Sequence, residues 1–253
     1  MGVFVFRDVA VPREAHNAAP IVAPNGSFLI FDIYGFLYAS ESLDGPWRHV
    51  ATSAIHCNNP APMFLPNGTA VVACHNGGIY LFACDDLFGR APWRPLGGAL
   101  AFPVEWGGND SPYLHVEDPF LYVDRRGHWH LIFHRYDLRN GYSPNATASN
   151  PLLVSGHAFS LDGWNWHYNV VQQPYDSVIR FANGTAQPTS TFERPHLLFD
   201  DNKTAMHLIS GVAPYFNQCQ DCEGAQGAVA HSCPRCKLTQ GLDYTFTLVT
   251  AHA

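Results

Sequence analysis

Apolar positions along this chain come in short runs, each closed by a turn signal, and four stretches repeat one layout. A polar start ending at proline leads into an apolar strand, a turn and a second apolar strand, over residues 19–31, 61–74, 118–133 and 194–209. The turns contain Asn25-Gly26, Asn67-Gly68, Asp124 to Gly127 and Asp200 to Lys203, residue types that tolerate positive φ, and the flanks are β-branched or aromatic. Each stretch predicts a β-hairpin. A second hairpin follows each, over residues 36–47, 79–93, 156–166 and 227–246. Two hairpins make a four-stranded unit with the period of a propeller blade. A β-sandwich of hairpins has the same local pattern. The corner shared by Ser42-Leu43-Asp44-Gly45 and Ser160-Leu161-Asp162-Gly163, with Trp47, Trp93 and Trp166 at matched places, favours the propeller. Residues 4–11 and the hairpin at Asn183-Gly184 are strand material left for a fifth blade, degenerate or incomplete. The expectation is an all-β, five-bladed β-propeller, one domain over residues 1–253, with no helix required.

Composition tightens that reading. Lys and Arg number 14 and Asp and Glu 21, so charged residues make up 14% of the chain, against about 25% in ordinary soluble domains. With 47% hydrophobic residues the chain is not disordered. Its longest apolar runs, residues 70–74 and 79–84, fall far short of the ~20 residues that span a bilayer. The net charge of −7 leaves no basic footprint for nucleic acid. Neither membrane nor nucleic acid is therefore expected as a partner, and the chain is expected to act as a monomer.

N-x-S/T sequons begin, among other places, at Asn25, Asn67, Asn145, Asn183 and Asn202, where chance predicts about one or two. Asn-Gly is good turn chemistry, but a turn does not require the hydroxyl that follows. The sequons point to a secreted or extracellular glycoprotein. The start, Met1 to Asp8, carries no leader pattern, so the chain reads as a mature or trimmed fragment. Of seven cysteines, Cys219/Cys222 and Cys233/Cys236 form two C-x2-C pairs. In an oxidising compartment they are disulfides; in a reducing one four thiolates would make a zinc site. Cys57, Cys74 and Cys84 lie in one predicted unit, which allows one pair and leaves one thiol over.

In a propeller the innermost strand of each blade lines the central channel, so the strand starts converge on one mouth. Those starts are His16-Asn17-Ala18-Ala19-Pro20, Asn58-Asn59-Pro60-Ala61-Pro62, His115-Val116-Glu117-Asp118-Pro119 and Glu193-Arg194-Pro195. Three of the scarce acids fall there, and paired carboxylates across a pocket are what glycoside hydrolysis needs. Asp44 and Asp162, by contrast, read as turn caps.

The Asp118-Pro119 and Glu193-Arg194-Pro195 starts on a hairpin-repeat scaffold resemble glycoside hydrolase family 43 and its invertase-like relatives, five-bladed propellers. The resemblance covers roughly residues 16–249. It implies inverting acid/base hydrolysis of a glycosidic bond in a polysaccharide or glycan. Glu193 would be the general acid, and Asp118 the carboxylate that orients it and raises its pKa. His16, Asn17, Asn59, His134 and Arg194 would contact the substrate. The family's base aspartate belongs to the first blade, where this chain reads Ala18-Ala19-Pro20. Glu117 could supply the base instead, or the protein could be a catalytically inactive glycan-binding propeller. No cofactor is required by this chemistry; the resemblance allows a structural calcium in the central channel.

Overall fold

The computed structural model describes residues 18–34, 36–50, 55, 57–76, 78–88, 91–97, 100, 114–137, 154–168, 173–214 and 246–251, and there is no helix among them. They form four antiparallel sheets of four strands. The first holds β1 (Ala19–Val22), β2 (Phe28–Phe31), β3 (Leu37–Ser40) and β4 (Arg48–Val50). The second holds β5 (Asn58–Phe64), β6 (Ala70–His75), β7 (Ile79–Cys84) and β8 (Arg94–Pro95). The third holds β9 (Leu114–Val123), β10 (Trp129–Asp137), β11 (Ser155–Ser160) and β12 (Trp166–Tyr168). The fourth holds β13 (Val178–Arg180), β14 (Ala186–Phe199), β15 (Ala205–Pro214) and β16 (Phe246–Ala251). In each sheet the strands follow chain order, and around the axis β1 meets β5, β5 meets β9 and β9 meets β14.

The sheets bury both faces, which explains the low charge. Along β6, Val71 and Ala73 pack with Leu121, Leu131 and Phe133 of the third blade, while Ala70, Val72 and Cys74 pack with Leu29, Phe31 and Leu37 of the first. Along β10, Leu131 and Phe133 face the second blade, and Ile132 faces Phe192, Leu208 and Val212 of the fourth. Side chains alternate across a strand, so a strand between two neighbours has no solvent face for charges. Each fully buried Leu or Phe is worth about 1.5–3 kcal/mol.

Two features lock the layers. Cys57 and Cys74 form a disulfide with Cα atoms 4.9 Å apart, joining the approach to β5 with β6. Cys84 remains a buried free thiol, so the three cysteines of this blade divide into one pair and one leftover. Gly156 of β11 lies opposite Phe133 and clears space for its ring: a Cβ there would sit 2.2 Å from it. The four C-x2-C cysteines lie outside the described residues.

The fourth blade departs from the expected strand assignment. The hairpin at Asn183-Gly184 is not part of a fifth blade, because β13 pairs with Ala186–Pro188 at the start of the long β14. The edge of this sheet next to β15 belongs to β16, which pairs along β15 from His207 to Val212; residues 227–231, expected as a strand of this blade, lie outside the described residues. The cause is the length of β14, whose two halves pair with different partners. The corner aspartate Asp162 caps its turn: its carboxylate accepts from the Trp164 and Asn165 backbone N–H groups, which hold it well below the usual carboxylate range. Trp93 and Trp166 pack at the edges of the interblade cores.

Candidate active site at the channel mouth

The same five-residue turn is built five times, over residues 23–27, 65–69, 124–128, 181–185 and 200–204. In each, the fourth residue's N–H donates to the first residue's carbonyl, and the first residue's N–H donates to the fifth's carbonyl, at 2.8–3.0 Å. The fourth residue has φ between 59° and 88°, the left-handed position that closes such a hairpin loop. The turns after β1, β5, β9 and β14 therefore give a common reference from which equivalent residues can be counted.

Three inner strands carry a bulge in which two residues oppose one of the partner strand. Asn59-Pro60 lies across from Cys74, Asp118-Pro119 from Phe133, and Arg194-Pro195 from Ser210. Asn59, Asp118 and Arg194 all have left-handed φ, at 50°, 50° and 53°. Each precedes its turn residue, Gly68, Gly127 or Lys203, by nine positions. A non-glycine residue held there costs roughly 1–2 kcal/mol, a strain characteristic of functional sites. The bulged residues meet at one pocket, lined by Ala18, Ala19, Asn59, Pro60, Asp118, Pro119, Arg194, Pro195 and His196.

This frame corrects two alignments made from the strand starts. Asn59-Pro60, not Ala61-Pro62, is the second blade's counterpart of Asp118-Pro119. In the first blade, nine residues before Gly26 is Asn17, so His16 and Asn17 hold the places of Glu117 and Asp118. Ala19 is not the missing aspartate's position; it pairs in regular register with Phe31, two residues further on. Proline occurs at both offsets, which is why the x-x-Pro pattern misleads. His16 and Asn17 themselves lie outside the described residues.

Asp118 is buried, with 5% of its surface exposed. The Asn59 side-chain amide donates to one carboxylate oxygen at 2.6 Å and the Arg194 backbone N–H to the other at 3.2 Å. Burial, then the negative charge of Glu117, pushes its pKa from 3.8 to about 6, with Glu193 adding to the rise and His134 and Arg194 opposing it. Glu117 is the reverse case. It lies across the strand pair from His134, whose Nδ1 is 3.6 Å from its Oε1. That imidazole holds the Glu117 carboxyl below the usual range despite burial, with His75 and Arg194 contributing. Glu193 holds the same place in the fourth blade, is half-buried, and has Gly211 across from it where Glu117 has an imidazole.

Two residues here escape a reading of the strand starts. His75, across from Asn58, is the second-blade counterpart of His134. Tyr175 is buried in the loop before β13, its ring stacked on Phe192 at 4.9 Å between centroids. Its backbone is clasped by the Ser155 hydroxyl, which accepts from the Tyr175 N–H and donates to its carbonyl. Burial and the nearby charges of Asp118 and Glu193 drive the phenol well above its ordinary pKa, and its hydroxyl has no hydrogen-bond partner among the described residues.

Glu117, Asp118 and His134 place one ligand atom each within 4.8 Å of the others. Calcium takes about six to eight oxygen ligands. A set containing an imidazole, with both Asp118 oxygens already accepting hydrogen bonds, does not match a calcium cage.

No protein-family model and no curated protein matches the chain. Solved structures do. An endo-arabinase from Bacteroides thetaiotaomicron aligns over 99% of this chain and 79% of its own, at 11% identity and a TM-score of 0.51. A thermostable family-43 glycoside hydrolase aligns over 78% of this chain and 67% of its own, at 15% identity and a TM-score of 0.50. An endo-1,5-alpha-L-arabinanase from Thermotoga petrophila aligns over 79% of this chain, at 12% identity and a TM-score of 0.50, and the match spans only 54% of that protein. At such identities the likeness establishes architecture: the fold is a five-bladed β-propeller of the glycoside hydrolase family 43 type, four blades of which the described residues form.

Proposed function

We propose that this protein hydrolyses a glycosidic bond in a polysaccharide or glycan by inverting acid/base catalysis at the channel mouth. The observation that carries the reading is the gathering of Glu117 and Glu193 around Asp118, which lines the pocket, at equivalent bulges and in contrasting environments. Glu193, with no imidazole across the strand from it, is the general acid and protonates the leaving glycosidic oxygen. Glu117, held ionised beside His134, accepts a proton from the water that attacks the anomeric carbon on the opposite face of the sugar. Asp118 lies beside both and orients the acid's strand through the hydrogen bond it accepts from the Arg194 backbone N–H. Asn59, Arg194 and His134 contact the sugar or its neighbouring carboxylates, and His16 and Asn17 are the first blade's candidates, by sequence count, for further sugar contacts. Pairs of carboxyl groups with divergent pKa values mark acid and base partners.

A second reading, a glycan-binding propeller without turnover, is favoured by one observation. The first blade offers Ala18 and Ala19 to the pocket, and histidine and asparagine rather than an acid at the equivalent site positions. One experiment separates the two. On whichever aryl glycoside or polysaccharide the wild type cleaves, Glu193→Gln should lower kcat by ~10²–10⁴-fold, the usual worth of a general acid, with sugar affinity by calorimetry retained. Unchanged turnover in that variant overturns the assignment. Calorimetric binding with no turnover by the wild type selects the second reading.

A further inference from the structure

Four of the five identical turns carry asparagine at their third position and serine or threonine at their fifth: Asn25/Ser27, Asn67/Thr69, Asn183/Thr185 and Asn202/Thr204. The turn itself does not demand that pair. Between β9 and β10 it closes with Arg126 and His128 in those places, capped instead by the Asp124 carboxylate. Between β14 and β15 the cap is again an acid: Asp200 accepts from the backbone N–H groups of Asn202 and Thr204, so the Asn202 amide is not needed for closure. In the other three turns the asparagine Oδ1 accepts from the fifth residue's backbone N–H, but the hydroxyls share no structural task. That of Thr69 donates to Asp85, while that of Thr185 donates to Asn183.

All four asparagines are exposed. Asn25, Asn67 and Asn202 stand at the far ends of inner strands that begin at the pocket, ~20 Å away at about 3.3 Å per residue. Asn183, on the hairpin that precedes β14, is not on that far face. The Cys57–Cys74 disulfide is consistent with passage through an oxidising compartment.

We propose that Asn25, Asn67 and Asn202 are N-glycan acceptor sites that coat the propeller face opposite the pocket. The donor is a lipid-linked diphosphate oligosaccharide. The bond from the sugar's anomeric carbon to the phosphate oxygen breaks, a bond from that carbon to the asparagine Nδ2 forms, and one amide proton leaves as the lipid diphosphate departs. The hydroxyl two residues on is the recognition element of the sequon. Bulky, soluble glycans on three blades would shield the far rim and leave the mouth open to a polymeric ligand, whether that ligand is cleaved or only held.

The test is to secrete the full chain from a eukaryotic cell and release N-glycans by amidase in oxygen-18 water, so that each occupied asparagine becomes a labelled aspartate in the peptide map. Label is expected at Asn25, Asn67 and Asn202. Ser27→Ala and Thr204→Ala should abolish it at Asn25 and Asn202 respectively. Both variants keep the asparagine and the backbone caps, so they fold, and loss of label reports acceptor recognition. Label at fewer than two of the three sites in folded, secreted protein, or label that survives the hydroxyl deletions, overturns the proposal.

Discussion

At the mouth end of β9 and β10 stand Glu117, Asp118 and His134; at the turn end of the same two strands stand Asp124 and His130, with His157 of the neighbouring β11 beside them. Both groups combine carboxylate and imidazole, yet they differ in what surrounds the aspartate. Asp124 accepts from the backbone N–H groups of Arg126 and His128, and its other oxygen meets the Arg126 guanidinium at 2.7 Å and His130 Nε2 at 3.4 Å. Burial pushes its pKa up, but these donors win and hold it far below the usual range. His130 in turn lies 3.0 Å from His157 and stacks on Tyr122. Asp118 has one side-chain amide and one backbone N–H, and two carboxylates nearby. A carboxylate fully supplied with donors is a structural strut. One that is buried beside like charges keeps its proton towards neutral pH, and such a perturbed group marks a site where neighbouring acid and base can be tuned.

Substitutions at the two ends should separate them. The largest effect is on turnover. Glu117→Gln is expected to lower kcat by ~10²–10⁴-fold on a glycoside that the wild type cleaves, while Asp124→Asn leaves it unchanged. Equal losses would erase the distinction.

Next comes Gly156→Ala, which drives a methyl into the Phe133 ring beneath the Asp118 bulge. It should destabilise the fold by at least ~1–3 kcal/mol, read from the urea midpoint, and should depress activity beyond the fraction unfolded.

The two ends should also respond to pH in opposite senses. Asp118 holds its proton more tightly folded, at about 6, than at its ordinary 3.8, so its contribution to stability falls as pH rises across that window. His157 is held near 4 against an ordinary 6.5, chiefly by burial and then by His130, so its contribution is lost as pH falls through the same window. Each amounts to on the order of 3 kcal/mol, and in the wild type they offset one another. Asp118→Asn should therefore unmask stability that rises with pH between about 4 and 6, and His157→Phe stability that falls. Parallel curves from urea melts across that range would contradict both assignments. The smallest effect is that of Asp124→Asn on stability, about 1–2 kcal/mol at neutral pH from weakened charge-assisted hydrogen bonds, measured by thermal melting at constant ionic strength.

Much of this was legible in the chain itself. The turns at Asn25-Gly26 and Asn67-Gly68 announced hairpins because few other residues accept positive φ there. The β-branched runs showed sheets buried on both faces, and the scarcity of acids drew attention to Glu117, Asp118 and Glu193. The bulges were hidden, because left-handed φ at Asn59, Asp118 and Arg194 is imposed by pairing with distant strands and leaves no local signature. Without them the alanine at position 19 passed for the equivalent of an aspartate. His75 could have been found: it follows Gly68 by seven residues, as His134 follows Gly127. Tyr175 could not, because its place depends on a loop folding back under Ser155 and Phe192.

The nine-residue interval between each bulge and its turn makes the inner strands intolerant of length change in a way that composition alone would not suggest. Because side chains alternate, inserting a single residue between Asp118 and Gly127 would shift the register by one and turn the interblade core residues of β9 outward. Homologous chains can therefore be expected to differ freely in the identity of residues along this stretch while keeping its count, and the interval becomes a yardstick for recognising the mouth of a divergent propeller whose acids have been replaced.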